Sequence, residues 1–255
     1  MKNPRNLLKA AVKEGRHQLG IWSSVPDPMV QEVLAGAGFD WVLIDCEHAP
    51  FEVRDVLPAL QAIAQHPEVS GAVRPAANDP VLIKRLLDLG AQTLIIPYVE
   101  SADEARAAVK AMRYGPDGVR GMAGMTRATR YGAVEGYSKS AAVELCLITQ
   151  IESVQGVKNL EAIGAVDGVD AVFIGPSDLS ASMGYPGEAD HPEVRHAIDD
   201  ILSRAKAAGI PCGLMDLSPD RAKTYIEMGS ALTAVGVDLV LLVDAIKGLR
   251  EKFSL

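Results

Sequence analysis

Three stretches decide the fold: Val42-Leu43-Ile44-Asp45, Thr93-Leu94-Ile95-Ile96-Pro97 and Ala171-Val172-Phe173-Ile174-Gly175. Each is a short, nearly continuous run of β-branched and apolar residues, without the alternation that a half-exposed strand shows. Such runs belong to a parallel sheet covered on both faces. Working outward, the same kind of run recurs along the chain. Strands are expected at Gln18 to Ser23, Trp41 to Asp45, Val69 to Arg74, Thr93 to Pro97, Glu144 to Ile151, Ala171 to Ile174, Pro211 to Met215 and Ala231 to Val235.

Between them the apolar residues fall three and four apart, which predicts helices. These are Pro28 to Ala37, Val53 to Ala64, Pro80 to Leu89, Ala102 to Met112, Val154 to Ile163, Pro192 to Ala208, Pro219 to Met228 and Leu239 to Phe253. Asp27-Pro28, Asp79-Pro80 and Ser218-Pro219 each place a capping side chain before a proline at the first helical position. Gly38, Gly90, Gly209 and Gly229 supply stops. Eight strand-helix units in a chain of 255 residues predict a single-domain (β/α)8 TIM barrel over residues 1–255. An open doubly wound sheet is the alternative, but SSVPDP follows the first strand where a glycine-rich dinucleotide turn would stand.

Composition narrows the function. The formal charge is -8, and the only dense run of arginines lies within one loop, so no broad basic face is expected for nucleic acid. The N-terminal MKNPRNLLKAAVKEGRHQLG is too interrupted by charge for a secretion signal, and no apolar run is long enough to span a bilayer. A cytoplasmic enzyme without membrane partners is expected. Cys46, Cys146 and Cys212 lie at no metal or redox spacing and read as reduced packing residues; for Cys46, beside Glu47 and His48, a nucleophile is the other reading.

In a TIM barrel chemistry gathers where strands end. Asp45, Cys46, Glu47 and His48 follow the second strand, Arg74 closes the third, Gln150 and Glu152 stand at the fifth, and Ser177 and Asp178 follow the sixth. Taken singly each has an ordinary reading, as a cap or a surface ion pair. Together they make one polar mouth. Glu152 and Asp178 suit a hard divalent cation, Mg2+ or Mn2+ with Co2+ as a substitute; zinc would want more histidine and cysteine. His48 has the chemistry of a proton-transfer group, whereas His17, His66, His191 and His196 lack comparable neighbours. A Schiff-base route needs a lysine inside the barrel, and no lysine falls on an expected strand.

The longest irregular stretch, Arg113 to Ala142, carries Arg113, Arg120, Arg127 and Arg130 among glycines. It reads as an ordered subunit contact that also shapes the mouth, with a phosphate clamp as the alternative.

The segments DCEHAPFE, VRPAANDPVLIKRLLDLGAQTLIIPYVES, VRGM, QIES and VFIGPSDLSASMGYPG resemble the HpcH/HpaI family of class II 2-oxo-acid aldolases, from about residue 18 to the C-terminus. The resemblance implies cleavage of 4-hydroxy-2-oxo acids to pyruvate or hydroxypyruvate and an aldehyde. It implies Glu152 and Asp178 as metal ligands, Gln150 and the Ser177 backbone as substrate contacts, Arg74 as enolate stabiliser and substrate contact, and His48 as general base. Asp45 would orient His48 and Arg74, Asp88 would raise the basicity of the histidine across a subunit interface, and Leu214 is a further expected substrate contact. A homo-hexamer of two trimers exchanging a terminal helix is implied as well. Cys46 stands where many members have glycine and is expected to narrow the pocket; Ser177 replaces an alanine. Rival readings are a metal-dependent barrel lyase or mutase for phosphoenolpyruvate-like compounds or CoA esters, and a non-catalytic acid-binding barrel. DLSPD and VGVD, after strands seven and eight, lack the glycine-rich turn that phosphate would need.

Overall fold

Strand side chains alternate between the two faces of a sheet, and in a closed barrel one face looks into the axis and the other toward the helices. This alternation accounts for two separate cores. The computed structural model, which describes residues 1–253, contains β1 (Gln18–Ser23), β2 (Trp41–Asp45), β3 (Ser70–Arg74), β4 (Thr93–Ile96), β5 (Cys146–Ile151), β6 (Ala171–Ile174), β7 (Cys212–Met215) and β8 (Leu232–Val237). They are hydrogen-bonded in sequence order, and β8 closes on β1. Every pairing is parallel. The expected single-domain barrel is the observed one, and the doubly wound alternative is excluded.

Around it lie α1 (Leu7–Lys13), α2 (Pro28–Ala35), α3 (Val53–Ile63), α4 (Pro80–Asp88), α5 (Ala102–Met112), α6 (Tyr137–Glu144), α7 (Val154–Lys158), α8 (Leu160–Gly164), α9 (Pro176–Ser182), α10 (Pro192–Ala207), α11 (Pro219–Met228) and α12 (Asp238–Glu251). The outer core joins strand residues such as Val42, Ile44, Val73 and Leu94 to helix residues such as Leu60, Ile83 and Ile198. The inner core holds Trp22, Trp41, Leu43, Ala72, Ile95, Ile148 and Phe173. Trp22, Trp41 and Phe173 pack ring against ring at 5.6–6.3 Å and fill the axis. Gly20 is required there, since a Cβ on it would stand 2.0 Å from the Trp41 ring.

Several expectations are corrected. The N-terminal segment forms α1, whose Leu8 and Val12 join the inner core and plug the barrel's N-terminal end. Glu144 belongs to α6 and not to the fifth strand. The helix expected over Val154 to Ile163 breaks at Asn159 into α7 and α8. The long loop is ordered by its own small core of Tyr114, Ala128, Val134, Tyr137 and Ala141. Because it follows α5, it lies at the N-terminal rim of the barrel, and within the protomer it does not shape the mouth.

Candidate active site

The mouth is assembled by strand parity. In β2, Trp41 and Leu43 face the axis, so Asp45 does too; in β3, Ala72 and therefore Arg74 follow. Asp45 and Arg74 are register partners on adjacent strands. Their side chains form a two-pronged ion pair, Nε to Oδ1 at 2.8 Å and Nη2 to Oδ2 at 2.7 Å. Both are almost fully buried. Burial opposes the charge on Asp45, but the hydrogen bonds and charge of Arg74 outweigh it and hold the carboxyl below its ordinary range. Asp45 Oδ1 also accepts the backbone N–H groups of Glu47 and His48 at 3.0 and 3.4 Å. One carboxylate thereby fixes the arginine and the turn that carries the histidine.

Arg74 stacks over the Trp22 ring, 5.1 Å from its centre, and directs Nη1 at Gln150 Oε1, 3.4 Å away. In β5, Ile148 faces the axis, and the same parity carries Gln150 and Glu152 into the mouth. Glu152 is 1% exposed. Its Oε2 accepts from Gln150 Nε2 and its Oε1 from the backbone N–H of Tyr98, each at 2.7 Å. Burial pushes this carboxyl up to about 8, with Asp178 and Glu47 adding to the effect against the Tyr98 N–H and Arg74. Asp178 sits in the first turn of α9, and its Oδ2 lies 3.9 Å from His48 Nε2. The cavity, about 90 Å³, is lined by Trp22, His48, Arg74, Gln150, Glu152 and Phe173 and by the 174–178 segment with Met215. No lysine lines it, which removes the Schiff-base route.

Sequence reasoning placed Glu47 in the mouth without giving it a role and missed Tyr98, Met215 and Gly175. Glu47 Oε2 stands 3.0 Å from Arg74 Nη1 and 3.8 Å from His48 Nε2, yet it is buried without an aligned hydrogen bond. Burial raises the Glu47 carboxyl, with Arg74 and His48 working the other way. Tyr98 adopts a left-handed backbone, φ 54°, a strained conformation for a tyrosine that aims its N–H at Glu152. Met215 faces the mouth from β7. Gly175 leaves room for Glu152, because a Cβ there would lie 2.2 Å from Oε2; its position directly after an apolar strand was the available signal.

Three expected residues lie elsewhere. Leu214 is fully buried in the outer core, since its neighbours Gly213 and Met215 take the inward positions; only its backbone can reach the mouth. Cys46 likewise turns outward, packs against the outer core and does not narrow the cavity. Burial, then Asp45, pushes its thiol up to about 12, so the nucleophile reading fails. Asp88, at the C-terminal end of α4, is at the opposite rim from His48 and pairs with Arg120 Nη2 at 2.8 Å. Ser177 is in the mouth as expected.

The donor set can be tested against a divalent metal. Among the described residues no group of three His, Cys, Asp or Glu side chains is arranged to enclose an ion alone. Three carboxylates, Asp45, Glu47 and Glu152, do surround a single buried cation, Arg74, Asp178 stands beside His48, and Glu47 Oε2 is orphaned. Excess negative charge of this kind, with the Asp178 carboxylate partly exposed at the rim, fits an ion that completes its shell with water and ligand oxygens.

Comparison with known proteins agrees with the geometry. The profile of the HpcH/HpaI aldolase/citrate lyase family matches residues 18–245. A pyruvate aldolase of Rhizobium etli is 50% identical over 254 residues, covering 100% of both chains. A 4-hydroxy-2-oxo-heptane-1,7-dioate aldolase of Escherichia coli is 48% identical over 250 residues, with 98% of this chain and 95% of the relative covered. The crystal structure of an HpcH/HpaI aldolase/citrate lyase family protein from Burkholderia cenocepacia superposes with a TM-score of 0.93 at 39% identity, covering 98% of this chain and 100% of the other. The barrel, the polar mouth at its C-terminal rim and these similarities together place the chain in the HpcH/HpaI aldolase/citrate lyase family.

Proposed function

We propose that the protein is a class II aldolase that reversibly cleaves 4-hydroxy-2-oxo acids into pyruvate or hydroxypyruvate and an aldehyde. The observation that carries this reading is the locked Asp45–Arg74 pair aimed into a small mouth that also holds two carboxylates and an exposed histidine. Glu152 and Asp178 would hold Mg2+ or Mn2+, with Co2+ as a substitute; when bound, such an ion polarises the keto group and acidifies the neighbouring C–H.

The chain's own residues then divide the work. Arg74 presents Nη1 to the keto oxygen as negative charge develops there. Its pairing with Asp45 and its stacking on Trp22 fix it beforehand, so little reorganisation is spent during reaction. Gln150, held between Arg74 and Glu152, and the Ser177 backbone in the first turn of α9 orient the acid. His48, whose side chain is 60% exposed, moves the proton at its Nε2 between C3 or the C4 hydroxyl and the solvent side of the mouth. Trp22 and Phe173 close the floor against water.

Asp88 can support His48 only from a neighbouring protomer, which ties that role to assembly. A homo-hexamer with an exchanged terminal helix accords with α12, which exposes Leu241, Leu242, Ile246 and Leu249, a larger apolar face than a monomer ordinarily shows water. Among the described residues no helix is long and apolar enough to cross a membrane, in keeping with the cytoplasmic placement proposed for it.

The test is cleavage of a 4-hydroxy-2-oxo acid, followed by pyruvate release, with Mn2+ and after EDTA. Release should stop with chelation and return with the ion. Undiminished release in EDTA would remove the metal assignment, and no release under either condition would remove the aldolase reading.

A further inference from the structure

A second cavity, about 310 Å³, opens at the other end of the barrel. Its walls are the segment before α1, the C-terminal end of α3, the starts of β3 and β4, and the arginine-rich loop. Arg5, His66, Arg127 and Arg130 line it, and no aspartate or glutamate does. In a chain of net charge -8, a cavity lined by three arginines and no carboxylate does not follow from composition.

The two loop arginines stand without counterions. Arg127 Nη1 donates to the Leu89 carbonyl at 2.9 Å, and among the described residues neither Arg127 nor Arg130 reaches a carboxylate. Burial, and after it the charge of Arg130, hold the Arg127 guanidinium below its ordinary value. The loop is built to keep them there. Arg130 and Tyr131 both take left-handed backbones, φ 51° and 54°, which non-glycine residues adopt only under local constraint. Thr129 supplies that constraint: its hydroxyl accepts the N–H groups of Thr126 and Gly132 and lies 2.8 Å from the Gly124 carbonyl.

We propose that this cavity is a binding site for a small, multiply charged oxyanion, a phosphate or polycarboxylate compound, separate from the catalytic mouth. Paired guanidinium groups match the planar or tetrahedral oxygens of such ligands with charge-assisted bonds. The volume is at the lower end of the range for small-molecule sites. Asn6 and Gln92 are already engaged with the chain, Asn6 Nδ2 with Thr93 Oγ1 and Gln92 Nε2 with the Pro4 carbonyl, so recognition falls to Arg127, Arg130 and, less firmly, Arg5, which also meets Glu14 at 3.4 Å. The Trp22, Trp41 and Phe173 stack stands between this cavity and the mouth, so occupancy here is independent of the aldolase reading.

The experiment is calorimetric titration of inorganic phosphate, and separately of propane-1,2,3-tricarboxylate, at fixed ionic strength into the intact chain and into Arg130→Ala, Arg127→Ala and Arg74→Ala. One equivalent of at least one anion should bind per protomer, weakened about tenfold or more by loss of either loop arginine, the equivalent of ~1.4 kcal/mol, and unchanged by Arg74→Ala. Arg130 is exposed, and among the described residues only its backbone is hydrogen-bonded, to Arg127 and Ala133, so truncating its side chain leaves the fold intact. Binding of neither anion, binding lost only in Arg74→Ala, or an altered sedimentation coefficient for Arg130→Ala, which would mean that a second copy covers this face, would overturn the proposal.

Discussion

Glu152 should couple metal binding to proton release. Its carboxyl is buried and pushed up to about 8 from an ordinary 4.5, so the metal-free protein at neutral pH holds a proton that an incoming cation must displace. With a value of about 8, about nine sites in ten are protonated at pH 7, and binding of Mn2+ there should release about 0.9 proton, falling to about 0.1 at pH 9. Apparent affinity should rise about tenfold for each pH unit up to ~8 and level off beyond it. Calorimetry in buffers of different ionisation enthalpy counts the protons. Glu152→Gln should bind more weakly, with a release smaller by nearly one proton and a flatter pH dependence. The sign for stability follows from the same shift. Between 4.5 and about 8 the folded chain holds a proton that the unfolded chain has lost, so the metal-free protein loses stability as pH rises through that window, by up to about 5 kcal/mol at ~1.36 kcal/mol per pH unit. No proton release at pH 7, with an affinity flat from pH 6 to 9, would refute the reasoning.

Other substitutions probe separate parts of the site. Arg74→Ala should lower kcat by about 3 to 4 kcal/mol in barrier and also depress the urea midpoint, because Asp45 is left buried without its partner; a wild-type rate would demote Arg74 to a structural role. Gly175→Ala, whose Cβ would meet Glu152 Oε2 at 2.2 Å, should cost about a hundredfold in turnover with the circular dichroism unchanged, and near-native turnover would show that Glu152 needs no such clearance. Cys46→Ala should leave kcat and KM within about twofold and cost no more than ~1 kcal/mol of stability; a changed substrate range would return Cys46 to the pocket wall.

Much of this was legible in the sequence because the barrel writes itself twice, in apolar strands and in the polar residues that end them. Asp45, Arg74, Gln150 and Glu152 were found from position alone. Strand parity was equally readable: with Asp45 inward, Cys46 had to turn outward, and with Met215 inward, Leu214 had to as well. The rest depended on relations that no local pattern carries. That α1 plugs the barrel depends on the gap left at its end, and the Tyr98 N–H reaches Glu152 only because β4 and β5 are adjacent. Asp88 reads as a helix residue in a suggestive segment, while its placement at the far rim follows from the direction of α4. The exposed apolar face of α12 looks in sequence like any core helix, since periodicity reports an apolar stripe and not what covers it.

The most direct test of enolate chemistry in the mouth is hydrogen-deuterium exchange at C3 of pyruvate, followed by NMR with Mn2+, with EDTA, and in His48→Ala. Exchange should occur with the ion and be lost in both other cases. Exchange that survives chelation and the loss of His48, or none at all for pyruvate and hydroxypyruvate alike, would contradict the assignment of Arg74, His48, Glu152 and Asp178 to a single enolising site.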